Sequence, residues 1–295
     1  MDFRGVHTAI ITPFNLDGKV DEPVLRQLIQ RQLDAGVAGI VPCGTTGESP
    51  TLNYDEHARV IDIAIEMAKG KALVIAGTGS NATDEAIQLS RHAQQAGADA
   101  VLQVNPYYNK PTQLGLFRHF KAIADAIDIP VVLYNIPGRT GVNVETPTLV
   151  SLAQSCANIV AVKEASGDLN QIKDVIAATP QPGFAVLSGD DSLTLDLIEA
   201  GGHGIISVTS NVLPKKMVEM VKRALAGDKA GSRQLHNEMH PLFRDLFLET
   251  NPIPVKTLMS EMGLCREIFR LPLCEFSSSD KRHHLLATAK TLGLL

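Results

Sequence analysis

No run of about eighteen or more apolar residues occurs in the 295-residue chain, so a membrane-spanning helix is not expected. The opening MDFRGVHTAII lacks an apolar segment followed by a small-residue cleavage site, which speaks against export and for a cytoplasmic protein. Cysteine is sparse: Cys43, Cys156, Cys265 and Cys274 lie far apart without a CxxC pair, a pattern of reduced thiols rather than of a disulfide framework or a zinc site. Basic clusters are missing too, since KRHH at 281–284 is too short for a nucleic-acid surface and the formal net charge is −5. No GxGxxG follows the first apolar run, and the GTGS at 77–80 supplies only half of one. What remains is a globular chain, 44% hydrophobic and 20% charged, large enough for a sizeable core and suited to a small molecule.

What the chain does have is alternation. Eight short apolar runs begin at 6 (VHTAIITPF), 39 (GIVPCG), 72 (ALVIAGTG), 100 (AVLQVNP), 130 (PVVLYNIP), 159 (IVAVKEA), 184 (FAVLSG) and 204 (GIISVTS). Between them, segments such as DEPVLRQLIQRQLDAG and TDEAIQLSRHAQQAG carry apolar residues at helical spacing, acidic first turns and a terminal glycine. Eight strand-then-helix units over residues 1–227 predict an α/β fold, a parallel (β/α)8 TIM barrel. Residues 228–295 break the rhythm with three further helical patterns, around 231–248, 254–263 and 280–292, and read as a C-terminal helical extension.

In such a barrel the chemistry lies at the C-terminal ends of the strands. Collecting those ends brings together Thr12 and Pro13 with residues 44–49, 77–81, 105–109, 134–139, 163–168, 189–191 and 207–211. Lys163 is the anomaly, because it ends a run composed like a strand buried on both faces, where lysine is rare unless it is paired or used. Its neighbour Glu164 should point to the opposite face of the strand, which weakens the ion-pair reading. Burial favours a neutral amine, and a neutral amine attacks a ketone to give a Schiff base. Tyr134 could then carry protons, although an aromatic strand residue bonded to a backbone carbonyl is the plainer reading. The CGTTGES loop at 43–49 suits a carboxylate, or is a simple turn. Arg139 is a carboxylate fork or a solvated loop cation, and Tyr107 and Tyr108 read as packing or interface residues. His236 and His240 share a helix face in HNEMH, but their order is not HExxH and they lie in the extension, so no metal site is expected.

GTTGES at 44–49, NPYYNKP at 105–111, YNIPGRTG at 134–141 and VKEASGD at 162–168, in that order, resemble the 4-hydroxy-tetrahydrodipicolinate synthase (dihydrodipicolinate synthase) family, from about residue 3 to the C-terminus. The resemblance implies a lyase that condenses pyruvate with L-aspartate 4-semialdehyde in diaminopimelate and lysine biosynthesis. It implies that Lys163 forms the pyruvate imine, with no other cofactor. Thr45 and Thr46 would bind the pyruvate carboxylate, and Thr45 would relay protons between Tyr134 and Tyr108, the latter reaching in from a neighbouring subunit. Arg139 would hold the carboxylate of the semialdehyde, and Gly189 and Ile206 would line the pocket through backbone groups.

The same resemblance implies a homotetramer built as a dimer of dimers, and inhibition by L-lysine at Ser49, Pro50, Tyr54, His57, Asn81, Glu85 and Tyr107. Pro50 and Tyr54 depart from the enterobacterial pattern of alanine and histidine, and Glu85 has a plainer reading as a first-turn helix acid. An N-acetylneuraminate or 2-keto-3-deoxy sugar acid aldolase shares the lysine and tyrosine, but Arg139 and Thr46 count against it. A non-catalytic binding barrel is the remaining alternative, disfavoured by the intact Lys163, Tyr134, Thr45 and Tyr108.

Overall fold

Eight short strands form at the eight apolar runs: β1 (Gly5–Ala9), β2 (Gly39–Val41), β3 (Leu73–Gly77), β4 (Ala100–Val104), β5 (Val131–Asn135), β6 (Ile159–Glu164), β7 (Ala185–Ser188) and β8 (Gly204–Ser207). The computed structural model of the chain describes residues 1–179 and 183–295. Every neighbouring pair is parallel, and β8 closes on β1 through Val6↔Ile205 and His7↔Ile206, so the sheet is a closed barrel in chain order. Helices α1 (Glu22–Asp34), α2 (Tyr54–Ala68), α3 (Thr83–Ala96) and α4 (Gln113–Asp125) return the chain between the first strands. After β5 come a single turn, α5 (Pro137–Thr140), and α6 (Thr146–Ser155); α7 (Leu169–Ala178), α8 (Thr194–Glu199) and α9 (Pro214–Leu225) complete the outer ring. The (β/α)8 barrel expected from the alternation is the fold.

Local chemistry sets the helix starts. Asn53 and Glu56 form a capping box at α2, the Asp168 carboxylate accepts the Asn170 and Gln171 N–H groups at α7, and Thr112 caps α4. Strand alternation then divides the core in two. Ala9, Val41, Ile75, Leu102, Val132, Tyr134, Ala161, Leu187 and Ile206 pack together inside the ring. Residues one place along, such as Val131, Leu133, Val162, Val186 and Ile205, pack outward with Leu25, Ile61, Phe120 and Met217 of the helices.

The last 68 or so residues continue the helical layer as α10 (Lys229–Asp245), α11 (Ile253–Glu261) and α12 (Ser279–Thr291). The apolar residues of α10 and α12, among them Met239, Phe243 and Leu285, join the outer core. In α11 every residue from Ile253 to Met259 is buried, and Asn251 and Lys256 reach the loop after β2. His236 and His240 stack 5.6 Å apart against Phe243. Among the described residues no group of three or more metal-binding side chains converges, no helix is long and apolar enough to cross a membrane, and all four cysteines are free.

Burial holds His7, His57, His119, His203 and His236 below the usual imidazole value of 6.5, and His119, packed edge-on to Phe120 and bonded to Thr83, is lowered to about 4. A depressed folded-state value means that between 4 and 6.5 the unfolded chain binds more protons, so stability is full above that window and is lost as pH falls through it. The melting temperature should therefore fall as pH drops from about 7 to about 5, and His119→Gln, which has nothing to protonate, should make the slope shallower. An unchanged slope would mean that His119 adds nothing to the acid sensitivity.

Candidate active site

β5 and β6 run in register with Tyr134 beside Lys163 and Asn135 beside Glu164. Alternation therefore turns Tyr134 and Lys163 into the barrel and Asn135 and Glu164 away from it. Lys163 is 6% exposed, and its Nζ lies 4.2 Å from the centroid of the Tyr134 ring. No carboxylate stands within ion-pairing distance of it among the described residues. Glu164 instead accepts from Asn135 Nδ2 at 3.2 Å, from the Ser166 N–H at 2.8 Å and from Gln171 Nε2 at 3.5 Å. The opposite-face argument made for the Lys-Glu pair is what the geometry shows.

Gly189 makes room for the lysine. A Cβ there would sit 2.6 Å from Ala165 Cβ and 3.1 Å from Lys163 Cε, while the Gly189 N–H donates to the Glu164 carbonyl at 2.7 Å. Ile206 is fully buried in the interior cluster, on β8. The loop after β2 comes over from the other side. A Cβ at Gly77 would lie 2.3 Å from the Cys43 carbonyl oxygen, so the close approach of this loop to β3 requires glycine.

Within the loop, Gly47 and Ser49 donate to the Gly44 carbonyl, Glu48 donates to that of Thr45, and Thr12 Oγ1 donates to that of Gly47 at 2.7 Å. The Thr46 hydroxyl accepts from Asn251 Nδ2 at 3.0 Å, and the Asn251 carbonyl in turn receives Arg139 Nη2 at 3.4 Å. Asn251 thus joins Thr46 to Arg139.

Thr45, Tyr134 and Arg139 line one cavity of about 590 Å³ together with Ser49, Pro50, Tyr54, His57, Glu85 and Tyr107. In that cavity Glu85 accepts the Tyr54 hydroxyl at 2.6 Å and the Ser80 hydroxyl, and these two donors pull its carboxyl below the usual range. His57 Nε2 donates to the Gly77 carbonyl at 2.9 Å, and Asn81 Nδ2 donates to that of Tyr107 at 3.1 Å. Tyr108 is not brought into this cavity by its own chain. It is 90% exposed and held at φ 74°, a left-handed conformation uncommon outside glycine.

Two groups at the mouth escape a reading by strand ends, Asn251 and Lys256, and Glu48, which falls within the segment collected after β2, was given no role by it. Lys256 carried the same signal as Lys163, a lysine inside an apolar stretch, IPVKTLM at 253–259.

Against known proteins, a model described as the Dihydrodipicolinate synthetase family matches residues 2–292. The chain is 52% identical over 293 residues to the 4-hydroxy-tetrahydrodipicolinate synthase of Endomicrobium trichonymphae, covering 99% of each. It superposes on the dihydrodipicolinate synthase of Aquifex aeolicus with TM-score 0.96 at 48% identity, covering 99% of both chains. It also superposes on the lysine-bound enzyme of Cyanidioschyzon merolae with TM-score 0.96 at 41% identity, covering all of both. A match over nearly the whole length, in sequence and in backbone, settles descent: the chain belongs to the dihydrodipicolinate synthetase family.

Proposed function

We propose that Lys163 carries the reaction of this enzyme, the lyase-type condensation of pyruvate with L-aspartate 4-semialdehyde to 4-hydroxy-tetrahydrodipicolinate. The observation that supports it most is a buried amine with no carboxylate partner among the described residues, set against a tyrosine ring at the mouth of the barrel. The Lys163 amine, having given up its proton, adds to C2 of pyruvate, and a proton delivered to the carbinolamine hydroxyl lets it leave as water and gives the protonated imine. That imine draws electrons from the adjacent carbon, and removal of a C3 proton gives an enamine. C3 then attacks the aldehyde carbon of the semialdehyde, whose oxygen takes a proton to become the 4-hydroxyl. The amine of the bound semialdehyde next attacks C2, closing the ring and expelling the Lys163 amine. The imine replaces any external cofactor.

Tyr134, beside Lys163, is the proton carrier, and Thr45 shares its cavity. Thr46 and the turn around it receive the pyruvate carboxylate, and the exposed guanidinium of Arg139 receives that of the semialdehyde. Gly189 gives the lysine its clearance, and Ile206 forms the wall on β8. Tyr108 completes the relay in a neighbouring copy of the chain, a role consistent with its 90% exposure next to the exposed Tyr107. We read the assembly as a dimer of dimers from the family resemblance, working in the cytoplasm with its thiols reduced.

L-lysine is the effector in this reading, bound where Ser49, Pro50, Tyr54, His57, Asn81, Glu85 and Tyr107 gather. Glu85 is the anionic group suited to its side-chain ammonium, but here the Tyr54 hydroxyl already occupies one carboxylate oxygen. The effector must displace it or share with it.

Three outcomes follow from these assignments. Borohydride reduction after incubation with pyruvate should leave a covalent adduct on the parent and none on Lys163→Ala, read by intact mass; an adduct on both would place the imine elsewhere. Arg139→Ala should raise the semialdehyde KM about ten-fold or more with little change in the pyruvate KM, as expected for loss of one charge-assisted fork, and equal effects would remove its assigned role. Glu85→Gln should raise the lysine concentration for half inhibition about ten-fold or more, whereas unchanged inhibition would put the effector at another site.

A further inference from the structure

The loop after β2 is bracketed by two non-glycine residues in the left-handed region, Cys43 at φ 56° and Glu48 at φ 54°. Such conformations persist only where the surroundings hold them. Around Glu48 the surroundings come from the C-terminal extension. Its carboxylate receives the Lys256 ammonium at 2.5 Å, and both side chains have 0% exposure. Lys256 Nζ also sits 4.2 Å from the Phe14 ring centroid and 5.3 Å from that of Phe269. The Arg270 N–H reaches the second Glu48 oxygen at 3.4 Å. The Arg270 guanidinium covers the same Phe14 ring at 4.4 Å and is itself fixed by Glu56 and by the carbonyls of Gly18 and Thr51. The ammonium is walled in on every side described.

A buried pair of this kind is no more stabilising than apolar residues of the same volume, whereas a single unpaired member is costly. Its consequence is therefore positional. Thr45 and Thr46 lie in the same hydrogen-bonded turn as Glu48, which donates to the Thr45 carbonyl at 3.1 Å, while Gly47 and Ser49 close on Gly44. A shift of the Glu48 carboxylate moves the backbone that carries both threonines.

We propose that Lys256 is a positioning residue for pyruvate: through its buried ion pair with Glu48 it holds the left-handed turn that presents Thr45 and Thr46 to the substrate carboxylate. This rests on the assignment of Thr45 and Thr46 to that carboxylate. It makes the extension after the barrel part of the catalytic apparatus without placing Lys256 in contact with substrate.

The test measures pyruvate KM, semialdehyde KM and melting temperature on the full-length enzyme and four variants: Lys256→Met, Glu48→Gln with Lys256→Met, Glu48→Asp, and Thr46→Val. Lys256→Met alone leaves a buried carboxylate unpaired and should melt well below the parent, and the double variant should recover most of that loss. Even so, the double variant should keep a pyruvate KM raised about ten-fold or more, with the semialdehyde KM within about two-fold, since misplacement by a fraction of an ångström is enough. Recovery of stability and pyruvate KM together would overturn the proposal, as would an equal rise in both constants. Glu48→Asp keeps both charges but retracts the carboxylate by one methylene. Its pyruvate KM should also rise, and a parent-like value there refutes the role of the pair whether or not the double variant folds. Thr46→Val separates the two levels. A normal pyruvate KM in that variant removes the threonine assignment and the proposal with it, while a raised one beside normal values in the pair variants removes only Lys256.

Discussion

Closing eight parallel strands into a ring leaves an interior wide enough for a few layers of side chains, and strand alternation decides which ones enter. Below the mouth that interior is filled by Ala9, Val41, Ile75, Leu102, Val132, Ala161 and Leu187. The last inward positions of β5 and β6 are Tyr134 and Lys163, side by side in register. The chemistry proposed for Lys163 depends on this placement. An amine above an apolar layer, with no carboxylate beside it, is available for covalent bonding in a way that an ion-paired lysine is not.

The outward face of the same strands carries a different kind of support. Asn105 Nδ2 donates to Asn135 Oδ1, Asn135 Nδ2 donates to Asn143 and Glu164, and Gln171 Nε2 donates to Asn143 and Glu164. Farther round the barrel, Gln103 is bonded to Thr78 and Ser90, and Asp191 accepts from Ser207 and from the Val208 and Thr209 N–H groups. A net hydrogen bond contributes only about 1 kcal/mol, but a buried group left unsatisfied costs about 1–3 kcal/mol, so such networks specify geometry more than they add stability. The Asn135–Glu164 network fixes the ends of β5 and β6 from behind, across the wall from Tyr134 and Lys163, and the other two do the same for strands farther round the barrel.

The turn over the mouth is held by a competition that magnitudes decide. A non-glycine residue in the left-handed region costs about 1–3 kcal/mol, and stripping one partner from a buried ion pair costs about 3–5 kcal/mol. At Glu48 the second exceeds the first. The backbone follows the carboxylate to Lys256, and the turn carrying Thr45 and Thr46 is set by a helix about two hundred residues later in the chain.

The positions of the eight strands, the outward turn of Glu164 and the singling out of Lys163 were legible in the chain itself, because they rest on local periodicity and on the cost of placing lysine among apolar residues. The four motifs further identified the family. Other features could not be read from any one segment. The Glu48–Lys256 pair and the Asn251 link between Thr46 and Arg139 join residues far apart in sequence, and nothing at either end announces the other. The single cavity shared by Thr45, Tyr134 and Glu85 likewise exists only once β2, β3, β4 and β5 stand side by side in the ring. Strand order and the candidate reagent follow from the chain read locally, since alternation and burial act over a few residues. Which distant side chains hold the surroundings of Lys163 in place follows from ring closure, which sets those distances and which no local pattern encodes.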